Sequence, residues 1–260
     1  MLIIINGGSY LFELFFIFSS KLFLRMKNLI IASTSTLYRG AYLEYLLPYL
    51  AKHFKNCKTI LFIPYARPSG ISHEDYTAAA SLAFAKININ IIGIHEFENP
   101  IMAVKNAEGI FTGGGNTFLL VKQLYEYKIM SVLAITLKKG IPYLGTSAGS
   151  IICGLTMQTT NDMPIVVPPS FKTLGLVAFN LNPHYLDSNL PEIHMGESRE
   201  TRILEYQHFN TTPILGLREG SWLEVKNETI ILKGNYTARL FRENQKPIEL
   251  VSEINLATII

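Results

Sequence analysis

The sequence predicts an α/β protein with a mostly parallel sheet and helices on both faces. Two observations lead there. From Met26 onward, short β-branched runs alternate with longer amphipathic ones, a βαβ rhythm. The short runs are also almost wholly apolar, with little alternation of polar residues, so each strand is expected to be covered on both faces.

The elements follow in order. Strands are expected at Leu29–Ala32, Thr59–Pro64, Ile89–Ile94, Gly109–Thr112 and Pro142–Gly145, with helices over 41–54, 74–86, 99–106 and 117–139 between them. After about residue 160 the rhythm changes. Short runs at 163–167, 176–182, 213–217, 222–226, 229–232 and 237–241 are separated by Pro, Gly and Asn. They predict antiparallel or edge strands around one or two helices, such as one over 198–208. No internal repeat, linker or low-complexity stretch interrupts residues 26–260, which are expected to form one α/β domain.

Composition excludes several classes. The chain has 260 residues, 48% hydrophobic and 17% charged, enough to bury a sizeable core. Its net charge of +3 comes from scattered basic residues, so no footprint for nucleic acid is present. Cys57 and Cys153 lack CxxC spacing, which predicts neither a disulfide framework nor a zinc site and points to a reducing cytoplasm. Residues 1–25 are strongly apolar but broken by Gly7-Gly8 and Glu13, short of the ~20 residues a spanning helix needs. They also lack the charge and cleavage pattern of a signal peptide. The expectation is an upstream extension outside the domain, with membrane association only if this extension anchors the chain.

The chemistry gathers at the ends of the fourth and fifth strands. Gly145-Thr-Ser147-Ala-Gly149 sits between an apolar strand and an apolar helix, the context of a nucleophile elbow. Such a turn lifts the Ser147 hydroxyl above the sheet edge and aims the Ala148 amide at the same space, where it can hold an oxyanion. Gly113-Gly114-Gly115, also between strand and helix, leaves backbone amides open to an anion. Neither GxGxxG nor GxxxxGK[ST] is present, so an oxyanion is favoured over a phosphate, with Gly114 or Gly115 giving the second amide.

A serine nucleophile needs a base. His53, His73 and His95 fall in early helices and loops, where a surface position is expected, and His194 and His208 flank a charged helical segment. His184 instead ends the apolar run 176–183, at a strand terminus where catalytic side chains collect, and is the candidate base. Asp162 and Glu219, each in a turn, are alternative carboxylates to orient it. Sequence order does not choose between them.

Together, FTGGGNTF, YLGTSAGS, LNPHYLD, MGESRETRI and LGLREGSWL resemble the peptidase E branch of serine peptidase family S51, whose other well-known branch is cyanophycinase. The resemblance spans about residues 26–250. It implies a fold related to class I glutamine amidotransferases, with Ser147 replacing their cysteine, His184 as base, and Asp162 or Glu219 as third member. It implies hydrolysis of dipeptides with an N-terminal aspartate, no cofactor or metal, Arg199 on the substrate carboxylate and Asn116 as a further substrate contact; Arg218 or Arg202 is the fallback recogniser. The expected assembly is a monomer or homodimer. The rival readings are a hydrolase of β-aspartyl-arginine polymer and a non-catalytic binding module of the same fold.

Overall fold

A strand that hides both faces must be sandwiched, and the five N-terminal strands are. In the computed structural model, which describes residues 26–187 and 196–260, they are β1 (Asn28–Ala32), β2 (Thr59–Ile63), β3 (Asn90–Gly93), β4 (Ile110–Thr112) and β5 (Tyr143–Thr146). They pair in parallel in the order β3-β2-β4-β5-β1. Successive residues face opposite sides. Leu29, Ile31, Leu61, Ile63, Ile110 and Tyr143 enter one core, and Ile30, Ala32, Ile60, Phe62, Phe111 and Leu144 enter the other. Helices α1 (Leu47–His53) and α2 (His73–Ala85) cover the second core. Helices α3 (Pro100–Asn106), α4 (Thr117–Glu126) and α5 (Met130–Leu137) cover the first.

Helix α6 (Ala148–Ile151) follows β5 directly. Two antiparallel strands, β8 (Ser221–Lys226) and β9 (Thr229–Gly234), extend the sheet beyond β1. A second sheet has the order β11 (Ile248–Leu250), β10 (Ala238–Phe241), β7 (Ile214–Leu217), β6 (Asn180–Pro183). Here β6 and β7 are parallel, joined through helix α7 (Arg199–Phe209), and the other pairs are antiparallel.

The departures from expectation have physical causes. The single helix expected over 117–139 is two, because Lys128 adopts φ 57° and ends the first; apolar periodicity runs across the break without a Gly or Pro to mark it. The run 163–167 forms no strand, since Pro164 and the nearby Pro168-Pro169 remove ladder donors. Of 176–182 only the last three residues pair, and β11 was not expected. The extension 1–25 and His194 lie outside the described residues; among the described residues no helix is long and apolar enough to cross a membrane.

Candidate active site

Ser147 is the turn between β5 and α6. Its φ of 53° and ψ of −113° lie outside the usual regions for a side-chain-bearing residue, a strain on the order of 1–3 kcal/mol that its surroundings must hold. They do so closely. The Ser147 N–H donates to the Ala32 carbonyl (3.2 Å), and Ser150 Oγ bonds the Ala32 and Gly145 carbonyls at 2.6 and 2.8 Å. A Cβ on Gly145 would run into the Gly149 carbonyl, and one on Gly149 into the Thr112 carbonyl. The two glycines of the G-x-S-x-G pattern are thus required by close approach of backbone to backbone.

His184 arrives from the second sheet, immediately after β6, also at positive φ (53°). Its N–H donates to Ser33 Oγ (2.9 Å), and that buried hydroxyl donates to the Leu217 carbonyl (2.7 Å). The imidazole bridges two elements. Nε2 is 2.9 Å from Ser147 Oγ, and Nδ1 is 2.6 Å from Glu219 Oε1. With the proton on Nδ1, the ring donates to the carboxylate and accepts from the serine hydroxyl. Glu219 stands in the turn after β7, where Gly220 takes φ 88°.

Asp162, the other carboxylate open in the sequence, faces elsewhere. Its Oδ2 accepts from Thr117 N (2.7 Å), Thr117 Oγ1 (2.6 Å) and Thr160 Oγ1 (2.9 Å), so it caps the N-terminus of α4. Asn116, expected as a substrate contact, has the same occupation: its Oδ1 accepts from Leu119 N (3.1 Å) and its Nδ2 donates to the Met163 carbonyl (2.9 Å). Both side chains are spent on ordering the helix that follows the glycine turn.

That turn lies against the serine. A Cβ on Gly114 would stand 2.9 Å from Ser147 Cβ and 3.5 Å from Oγ. The Gly113 N–H donates to the Ile63 carbonyl and the Gly114 N–H to the Tyr76 hydroxyl (3.2 and 3.0 Å). Among the described residues, the amides of Gly115 and Ala148 have no acceptor.

Arg199 opens α7, with Ser198 as N-cap. Its Nη1 donates to the carbonyl oxygens of His184 and Pro183, which brings the guanidinium to the backbone that carries the imidazole. Burial, followed by the charge of Arg202, lowers its pKa below the ordinary arginine value. Neither carboxylate flanking it in sequence is its partner: Glu197 pairs with Arg202 (3.8 Å) and Glu200 with Arg239 (3.2 Å). Arg218 is saturated. It forks onto Asp187 with two 2.8 Å bonds and also bonds Glu249 and Thr237. Its hydrogen bonds hold the Asp187 carboxyl below the usual range. Arg199 therefore keeps guanidinium donors free of carboxylates, whereas those of Arg218 are all committed. Sequence reasoning missed Ser33, Tyr76 and Asp187, whose contacts join elements far apart in the chain.

The early histidines are less exposed than expected. His53 Nε2 lies 3.1 Å from the Tyr143 carbonyl, and burial lowers its pKa to about 4; His95 packs beside His73. Both cysteines are buried and free. Among the described residues no group of three His, Cys, Asp or Glu side chains is arranged to hold a metal ion.

The family model described as Peptidase family S51 matches residues 29–233. The chain belongs to this family. The span matched to the S51 family contains Ser147, His184, Arg199 and Glu219. "Peptidase E" of Streptomyces coelicolor is 41% identical over 233 residues, covering 90% of this chain and 95% of that protein. "Probable alpha-aspartyl dipeptidase" of Drosophila melanogaster is 40% identical over 237 residues, covering 90% and 98%. A crystal structure titled as a putative peptidase E protein from Listeria monocytogenes EGD-e superposes with a TM-score of 0.63 at 22% identity, over 81% of this chain and 99% of that one. A peptidase from an acI-B1 actinobacterium gives 0.63 at 16% identity, over 90% and 97%. These two likenesses show that the fold is shared.

Proposed function

We propose that this S51 peptidase hydrolyses dipeptides with an N-terminal aspartate, Asp-Xaa, through an acyl-enzyme on Ser147. The hydrogen-bonded chain Ser147–His184–Glu219, beside an arginine that makes no ion pair within 4 Å among the described residues, carries this reading.

In the reaction, the Ser147 hydroxyl attacks the carbonyl carbon of the substrate aspartate while its proton passes to His184 Nε2. Glu219 stabilises the imidazolium through Nδ1–H. The oxyanion that forms is held by backbone amides at Ala148 and the glycine turn, at the positive end of α6. His184 then returns the proton to the leaving amine, the C–N bond breaks, and water, deprotonated by the same imidazole, releases aspartate from the ester. Arg199 turns one fork nitrogen to the backbone and leaves the rest of its guanidinium for the substrate's β-carboxylate, where a planar bidentate donor discriminates best.

The reading assigns the activity to residues 26–260, with 1–25 outside the catalytic unit, and two buried free thiols suit a reducing cytoplasm. Its test compares Asp-Leu with Glu-Leu, Asn-Leu, β-Asp-Leu and β-Asp-Arg, using protein begun at Met1 and at Met26 and a Ser147→Ala control. Release of leucine from Asp-Leu alone, lost in the control, is the expected result. Preference for β-Asp-Arg would move the chain to the polymer-hydrolase reading, and turnover retained by Ser147→Ala would remove the nucleophile.

A further inference from the structure

The oxyanion needs a second N–H opposite that of Ala148, and a turn of three glycines offers three. Two are already committed. The Gly113 N–H continues the sheet by donating to the Ile63 carbonyl, and the Gly114 N–H donates to Tyr76 Oη at 3.0 Å. The same hydroxyl donates its own proton to the Gly114 carbonyl, at 3.3 Å. Gly114 C=O and Gly115 N–H belong to one planar peptide unit and point in opposite directions. A hydroxyl that fixes the carbonyl therefore also fixes the amide, turned away from Tyr76.

Tyr76 is built to hold still. It lies in the first turn of α2 and is 2% exposed. Its ring stands edge-on to Phe62 (centroids 4.9 Å apart, 86° between planes), with Tyr42 on another side and the Arg67 guanidinium 4.8 Å over its face. Gly113 is glycine because a Cβ there would lie 2.5 Å from the Tyr76 oxygen. On the far side of the turn, Gly114 packs on Ser147, and Gly115 at φ 142° is pressed against the Ala66 carbonyl. The peptide is clamped from both sides.

We propose that Tyr76 is a positioning residue for the oxyanion hole: its hydroxyl takes the Gly114 amide out of the site and orients the Gly115 amide into it. The inference rests on the serine-peptidase reading and deepens it. Because the hydroxyl acts through a donor that matters only when charge develops on the carbonyl oxygen, it should affect the transition state and leave ground-state affinity alone. Donation to the Gly114 carbonyl also polarises that peptide and strengthens its N–H as a donor.

The experiment is Tyr76→Phe, which keeps the ring and deletes only the oxygen. On Asp-Leu, kcat should fall roughly 10–10²-fold with KM nearly unchanged, a part of what outright loss of an oxyanion donor costs. Affinity for the boronic-acid analogue of aspartate, a tetrahedral mimic, should fall in parallel, while affinity for free aspartate and the pH profile of kcat/KM stay as in wild type. Retained aspartate binding also shows that the variant is folded. The proposal is overturned if kcat stays within about twofold, if aspartate and boronate affinities fall together, or if the pH profile moves, since that would place the damage at His184. Failure of the underlying reading is distinguishable: Ser147→Ala would then retain turnover whatever Tyr76→Phe does.

Discussion

Replacing Glu219 by Gln keeps the side chain's length and its hydrogen-bonding reach to His184 but removes the charge. Two losses follow. The imidazolium formed during attack no longer faces a carboxylate 2.6 Å from Nδ1, and a neutral amide no longer selects the Nδ1–H tautomer. Charge centres about 4 Å apart attract by about 1 kcal/mol in water and about 4 kcal/mol at a protein surface. The His184 and Glu219 side chains are 35% and 46% exposed, so the pair lies between those limits. At about 1.4 kcal/mol per tenfold, this corresponds to a loss of roughly 10–10³ in kcat, below the ~10⁴ seen when a buried triad aspartate is neutralised. Asp162→Asn supplies the contrast. It weakens three bonds at the N-terminus of α4 and should cost about 1–3 kcal/mol of stability while kcat stays within about tenfold. Steady-state hydrolysis of Asp-Leu and thermal unfolding of both variants decide it. If Glu219→Gln retained wild-type kcat, or if Asp162→Asn reduced kcat by more than Glu219→Gln without losing stability, Glu219 would not be the orienting carboxylate.

Other perturbations are equally direct. Arg199→Met should lower kcat/KM for Asp-Leu roughly 10²–10³-fold and that for Asn-Leu by at least about tenfold less, with Arg199→Lys in between; equal losses on both substrates would make the arginine only a brace for the His184 carbonyl. Because burial lowers the His53 pKa to about 4, the folded state resists a proton that the unfolded chain takes up near 6.5, so its contribution to stability is present above 6.5 and lost as pH falls toward 4. Urea unfolding should show roughly 2 kcal/mol lost through this group between pH 7 and 5, absent in His53→Gln; identical slopes in the two proteins would contradict it. Arg218→Met strips Asp187 of its fork and should cost about 2–4 kcal/mol, less than a fully buried pair because solvent reaches it. Adding Asp187→Asn should recover part of that loss, and strictly additive losses would mean the two side chains are not coupled.

Ser147 and the glycines around it were legible because an elbow is a local object: strand, strained turn and short helix lie within a dozen residues, and its close approaches require small side chains at 145 and 149. The five parallel strands were legible for a similar reason, since burial of both faces writes itself as unbroken apolar runs. The split between α4 and α5 was not, because it depends on one lysine at positive φ with no Gly or Pro to announce it.

By itself the sequence determined the βαβ core, the elbow that carries Ser147, the proposed nucleophile, and the strand end that carries His184, the proposed base. It also narrowed the orienting carboxylate to Asp162 and Glu219. Only the tertiary structure separated these two. Both are acids in turns; besides its neighbour Thr160, one meets Thr117 across 45 positions of sequence, and the other meets His184 across 35, so the partner that distinguishes them is brought in by folding. The same holds for Ser33, which bonds His184 across 151 positions of sequence, and for Tyr76, which meets Gly114 across 38. Periodicity and turn chemistry report what a residue does to its own segment, whereas these hydrogen bonds depend on where unrelated segments end in space.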